Sequence, residues 1–172
     1  MKRKVLRTLG ILLMVCGILI LALFAYQRIS RERYLKKLLN DHVNFEIPSL
    51  NIKVPVLEGT DSKSLQVSAG HFEGTGLPGH GNNCIAGHNS TIYAEIFNAL
   101  DRIQIGDEMY LIDNDEKRTR YTYIVAEYHV VAPQSVEVLD DYGDDRLTII
   151  SCTDDGKQRQ VVVGILESFP KP

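Results

Sequence analysis

A chain of 172 residues and 19.4 kDa accommodates one domain and an accessory segment, not two full domains, and its 44% hydrophobic and 24% charged residues exclude wholesale disorder. The net charge of −3 conceals a split: residues 1–28 hold five basic side chains (Lys2, Arg3, Lys4, Arg7 and Arg28) and no acid, so the rest keeps 14 of the 19 basic residues against all 22 acidic ones, a balance of −8. Such an acidic domain lacks the basic face that nucleic-acid binding needs, and three cysteines are too few for a disulfide framework.

Between Arg7 and Arg28 lie twenty residues without a charge, and Leu9 to Tyr26 is almost wholly apolar. At about 1.5 Å per residue, some 20 residues cover the ~30 Å hydrocarbon core of a bilayer. We expect a single-pass transmembrane helix over 8–27. The basic flank 1–7 goes to the cytoplasm by the positive-inside rule, and everything beyond 28 faces outward. A cleaved signal peptide is the rival reading. It fits less well, because the apolar run exceeds a usual signal core and Ala22 and Ala25 lack cleavage-site spacing. Cys16 follows Met14 and Val15 instead of the small residues of a lipoprotein acceptor, so it reads as a thiol within the membrane. In 28–44, Ile29, Leu35, Leu38 and Leu39 recur at helical spacing among charges, which predicts a short juxtamembrane helix or stalk ending at Asn40–Asp41.

From Phe45 to Pro172 the pattern is that of an all-β domain. Ile52–Leu57 is a strand whose Pro55 predicts a sheet edge. Residues 64–72 are a weaker strand, and 73–83 (EGTGLPGHGNN) a Gly/Pro/Asn loop. Asn83–Gly87 is a brief buried strand. Ile92, Ile96 and Leu100, with Phe97 beside them, predict one short amphipathic helix over Thr91–Leu100. Strands follow at Glu108–Asp113, Thr119–Val131, Arg146–Cys152 and Arg159–Leu166. Seven or eight short strands in this length imply a closed barrel or a sandwich.

The chemistry gathers at the last hairpin. A strand ending at Cys152 and one beginning at Arg159, joined by six residues, make those two direct cross-strand neighbours on one face. A thiol is the strongest nucleophile near neutral pH once a base or cation favours its thiolate. A guanidinium forks toward a carbonyl oxygen or oxyanion. His88, just past the strand Asn83–Gly87, supplies a candidate general acid and base. Taken singly, each has a blander reading: a packed cysteine, a surface histidine and a solvated edge arginine. A zinc site is an alternative, since His80, Cys84 and His88 fall at four-residue steps with His71 upstream. Against it, Gly79, Gly81 and Gly87 make the region irregular, and Cys84 reads more simply as a small packed residue.

In order along the chain, several short stretches carry a resemblance: Ile47-Pro48-Ser49-Leu50-Asn51-Ile52 with Val54-Pro55-Val56; Gly74-Thr75-Gly76-Leu77-Pro78-Gly79 with Gly81-Asn82; Ile85-Ala86-Gly87-His88; Gly106-Asp107-Glu108; Thr148-Ile149-Ile150-Ser151-Cys152; and Arg159 before Val161-Val162-Val163-Gly164. Together they resemble the sortases, membrane-anchored cysteine transpeptidases of Gram-positive bacteria, over about Phe45–Leu166. The fifth stretch is similar to the family's TLxTC, with Ile149 for Leu and Ser151 for Thr. The resemblance implies an eight-stranded β-barrel with one or two short helices. It also implies Cys152 as nucleophile, His88 as general acid and base, and Arg159 as the group that holds the substrate carbonyl. The implied substrate is an LPxTG-like sorting signal of a secreted surface protein. The implied acceptor is an amine of a peptidoglycan precursor or a pilin-type protein. Class D is the nearest subclass and class A the next, the segment between Val131 and Arg146 leaving little room for the added helix of class B. No cofactor is expected. Asp113, Asp115 and Glu116, which could suggest calcium as in some class A members, read as a solvated turn. A purely hydrolytic cysteine peptidase and a non-catalytic membrane-anchored β-domain are the competing functions.

Overall fold

The structure, a computed structural model, describes residues 2–61, 64–89 and 96–168. It contains one long helix, α1 (Lys2–Asp41), and eight strands: β1 (Asn44–Ile47), β2 (Ile52–Glu58), β3 (Ala69–His71), β4 (Asn82–Gly87), β5 (Glu108–Ile112), β6 (Arg120–Val131), β7 (Arg146–Cys152) and β8 (Arg159–Ser168). The chain divides into two compact units, residues 1–37 and 38–172.

The first unit is helix alone. Leu12, Leu13, Phe24 and their neighbours are all solvent-facing, and the helix from Leu9 onward is long and apolar enough to cross a membrane, with a mean hydropathy of 2.7 over its most apolar stretch. A face of bare leucines around a whole helix is what lipid accommodates and water does not.

In the second unit the strands close into a barrel in the order β1-β2-β3-β4-β7-β8-β6-β5, with β5 pairing back onto β1. Two of its pairs, β2/β3 and β4/β7, are parallel and the rest antiparallel. The last turn of α1 belongs with this unit. Leu38 is buried, and the carbonyl of Leu39 accepts hydrogen bonds from the side-chain amides of Asn44 (2.8 Å) and Asn114 (3.2 Å). The interior is filled from inward rows of each strand: Phe45 and Ile47, Ile85, Met109 and Leu111, Tyr123 and Val125, Leu147 and Ile149, and Val162. Phe45 and Phe97 meet edge to face, with ring centroids 5.8 Å apart.

Closure corrects one sequence expectation. Pro55 does not mark an edge, because β2 has partners on both sides. The N–H of Val56 points to β1, where it meets the carbonyl of Val43 (2.8 Å). The nitrogen of Pro55 therefore faces the β3 side, and pairing there begins only at Val56. The missing donor falls just outside the ladder. Of the expected short helix, residues 91–95 lie outside the described residues; Ile96–Ala99 form turns, followed by a 3-10 turn at Leu100–Arg102.

Candidate active site

Strand register assembles the site. β7 lies between β4 and β8. On the β8 side the pairs run Ile149 with Val162, Ile150 with Val161, Ser151 with Gln160 and Cys152 with Arg159. On the β4 side the parallel register runs Cys84 with Thr148 and ends at Gly87 with Ser151, so the next residues along the two strands are His88 and Cys152. Three neighbouring strands thus bring His88, Cys152 and Arg159 to one pole of the barrel. Because paired residues share a face and Leu147 and Ile149 point inward, Cys152 and Arg159 stand on the outer row. The cross-strand pairing inferred from a six-residue loop is the one observed.

Each side chain is held differently. Cys152 and His88 are half-buried. Arg159 Nη1 donates to the carbonyls of Gln158 (3.0 Å) and Gly156 (3.5 Å), which anchors the guanidinium at the β7–β8 loop while its remaining N–H groups keep their fork geometry. The carbonyl of His88 accepts the backbone N–H of Phe97 (3.1 Å). Gly87, just before it, is required by close approach: a Cβ there would lie 2.4 Å from the Phe97 ring.

Beside the outer row runs an open groove. One wall is Ile150 and Arg159; the other is the β6–β7 connection, which contributes Pro133, Val136, Val138 and Leu139. This connection contains only a four-residue 3-10 turn, Val136–Leu139. Asn82 pins it to the barrel, for its amide donates to the carbonyls of Val138 (3.0 Å) and Asp140 (2.8 Å) while its Oδ1 accepts the Thr148 hydroxyl (2.7 Å). Arg146 braces the far end through Asp144 (Nη2 to Oδ2, 2.6 Å) and stacks on Tyr142. That charge-assisted bond holds the Asp144 carboxyl below its usual 3.8. The sequence singles out Asn82 only as part of the loop before His88 and gives it no bracing role, because its partners lie 56 and 58 residues away.

The zinc alternative meets a different arrangement. Among the described residues, no three His, Cys, Asp or Glu side chains are grouped to hold a metal ion. His71 faces Glu58 through Nδ1 (2.9 Å) and Thr75 and the Gly76 carbonyl through Nε2. Cys84 is fully buried with its sulfur against the carbonyls of Asn82 and Val138, and burial pushes the thiol up to about 12. At the β5–β6 turn, both carboxylate oxygens of Asp115 accept from Thr119, through its N–H (2.9 Å) and its hydroxyl (2.6 Å).

Comparison with known proteins agrees with this fold. The family model for the sortase domain matches residues 45–167. Sortase A of Bacillus anthracis is 34% identical over 122 residues, 70% of this chain and 57% of that protein, so the chain spans little more than half the length of that relative. The crystal structure of sortase C1 from Streptococcus agalactiae superimposes with a TM-score of 0.66 at 31% identity, over 73% of this chain and 66% of that one. A sortase D5 transpeptidase of Clostridium perfringens gives the same TM-score and identity over 80% of this chain and 89% of its own. A barrel of this strand order, matched by the domain model over residues 45–167 and by solved structures at about 30% identity, places the chain in the sortase family.

Proposed function

We propose that the protein is a membrane-anchored cysteine transpeptidase that cuts an LPxTG-like sorting signal and joins the carboxyl product to an amine. Cys152 Sγ attacks the carbonyl carbon of the signal threonine. Arg159 donates to the oxyanion that forms, and His88 gives a proton to the departing glycine amine. The product is a thioester on Cys152. An incoming amine, deprotonated by His88, attacks that thioester, and the thiolate leaves. The observation that carries this reading is the register: a thiol and a guanidinium directly opposite each other across β7 and β8, with an imidazole next in line on the β4 side.

The groove beside the outer row suits the apolar Leu-Pro portion of such a signal, being lined by Pro133, Val136, Val138, Leu139 and Ile150. A short β6–β7 connection without an α-helix, together with the Gly74–Gly79 stretch, favours a class D-like enzyme over class B. Residues 8–27 serve as the span, 1–7 as the cytoplasmic flank, 28–44 as the stalk, whose end from Leu38 onward packs into the barrel unit, and 45–172 as the catalytic domain outside the cell. The acceptor is an amine of a peptidoglycan precursor or of a pilin-type protein.

The deciding experiment incubates the full chain in detergent with an LPxTG peptide, with and without hydroxylamine or a glycine amine. Transpeptidation predicts an amine-dependent product and none from Cys152→Ala or His88→Ala. A product indifferent to amine would leave a hydrolase. Function that survives Cys152→Ala would leave a non-catalytic domain.

A further inference from the structure

The backbone of Cys152 is held in an unusual way. Its carbonyl accepts two side-chain amides: Asn89 Nδ2 from the β4 side (3.0 Å) and Gln160 Nε2 from β8 (3.0 Å). The same Asn89 Nδ2 also donates to Asp154 Oδ1 in the β7–β8 loop (2.9 Å). Gln160 is buried and is fixed at its other end by the Tyr128 hydroxyl, which donates to Oε1 (3.2 Å). One residue earlier the exchange runs the other way, Ser151 Oγ donating to the carbonyl of Gly87 (2.9 Å).

These bonds have a common cause. The parallel ladder between β4 and β7 ends at Gly87 and Ser151. Beyond that point β4 leaves the sheet, so the Cys152 carbonyl loses the main-chain donor that a longer β4 would have offered. Such a group must find another partner. Asn89 supplies it and reaches the β7–β8 loop as well, so a single side chain bridges the segment that carries His88, the nucleophile's own peptide and the loop that leads to Arg159.

We infer that Asn89 is a positioning residue that sets the spacing between His88 and Cys152 by replacing the missing ladder bond, with Gln160 holding the same carbonyl from the opposite strand. This rests on the reading of Cys152 as nucleophile. Asn89 itself touches no reacting atom. Its loss should slow the chemistry while leaving the groove, and so substrate binding, nearly as it was.

The test uses the full chain in detergent, the LPxTG peptide and a glycine amine. Asn89→Ala is expected to lower kcat about tenfold, the equivalent of one or two hydrogen bonds, with KM within about twofold and a thermal midpoint lowered by no more than a few degrees. Asn89→Asp, of the same shape but carrying only acceptors, should fall further, since it sets a carboxylate against a carbonyl oxygen and Asp154. A direct signature accompanies the kinetics. Cys152 and Thr153 form the only Cys-Thr pair in the chain, so 13C-carbonyl cysteine with 15N-threonine gives one correlation, and its carbonyl shift should move upfield in Asn89→Ala. An unchanged kcat and carbonyl shift, with Cys152→Ala inactive, would overturn the inference and leave the proposed reaction standing. A loss of kcat tracking an equal rise in KM and a lower melting point would reduce Asn89 to a structural role. Turnover surviving in Cys152→Ala would instead remove the reading on which the inference rests.

Discussion

Replacing Gly87 by alanine tests how the barrel core controls the site. The added Cβ would sit 2.4 Å from two carbons of the Phe97 ring and 3.2 Å from a third. Carbon atoms prefer about 3.5–4.0 Å, so something must move by more than an ångström. Phe97 has little freedom to do so: it is completely buried, its ring is wedged edge-on against Phe45, and its N–H is bonded to the His88 carbonyl. The strain therefore passes to the end of β4. Overpacking of this kind costs about 1–3 kcal/mol, which at roughly 4 °C per kcal/mol for a domain of this size lowers Tm by several degrees. The larger effect falls on turnover. His88 is the next residue, and a displacement of about 1 Å in a catalytic group costs on the order of 10²-fold in rate. Thermal melts and initial rates with the LPxTG peptide measure both. The double variant Gly87→Ala with Phe97→Leu should recover much of the loss, since the smaller side chain vacates the space. Unchanged Tm and kcat in the single variant would refute the reasoning, and so would a double variant no better than the single one.

Other substitutions separate the parts of the site. Arg159→Lys keeps the charge but loses the fork and the Nη1 anchors to Gln158 and Gly156, so kcat/KM should drop by about 10²-fold or more, as for loss of an oxyanion donor; near-normal kinetics would remove Arg159 from the chemistry. Asn82→Ala cuts the two bonds that pin the β6–β7 connection, each worth about 1 kcal/mol, and should raise the peptide KM about tenfold with kcat largely kept. An unchanged KM would detach that connection from substrate binding. Asp144 gives a pH test. Its carboxyl is held below 3.8 in the folded state by Arg146, so its contribution is complete above that ordinary value and disappears as the pH falls through the lowered one. With the side chain 40% exposed, the effect is under about 1 kcal/mol. The Tm gap between the native protein and Asp144→Asn should be present at pH 6 and close toward pH 3; a gap independent of pH would contradict the assignment.

What could be read from the sequence follows physical range. The β7–β8 hairpin is local, so counting residues between Cys152 and Arg159 gave their pairing directly. The long uncharged run before Arg28 needed no tertiary information either. By contrast, β1 has four residues and β3 three, too few for alternation to show. The parallel pairing of β4 with β7 joins segments some 64 residues apart, and no local pattern encodes it. Pro55 was misread because the rule about prolines presumes a ladder running alongside the nitrogen, and in β2 that ladder starts one residue later. Asn82 and Asn89 look like ordinary loop polar residues until β7 and its flanking loops are placed beside them.

The burial of Cys84 has a practical reach. A thiol with no exposure and held neutral up to about pH 12 does not react with maleimides or methanethiosulfonates at ordinary pH. With Cys16 exchanged for serine, the protein therefore carries a single addressable sulfur, Cys152. One fluorophore or spin label placed there would sit beside Arg159, which lines one wall of the groove, and would report occupancy of that groove as a change in polarity or mobility.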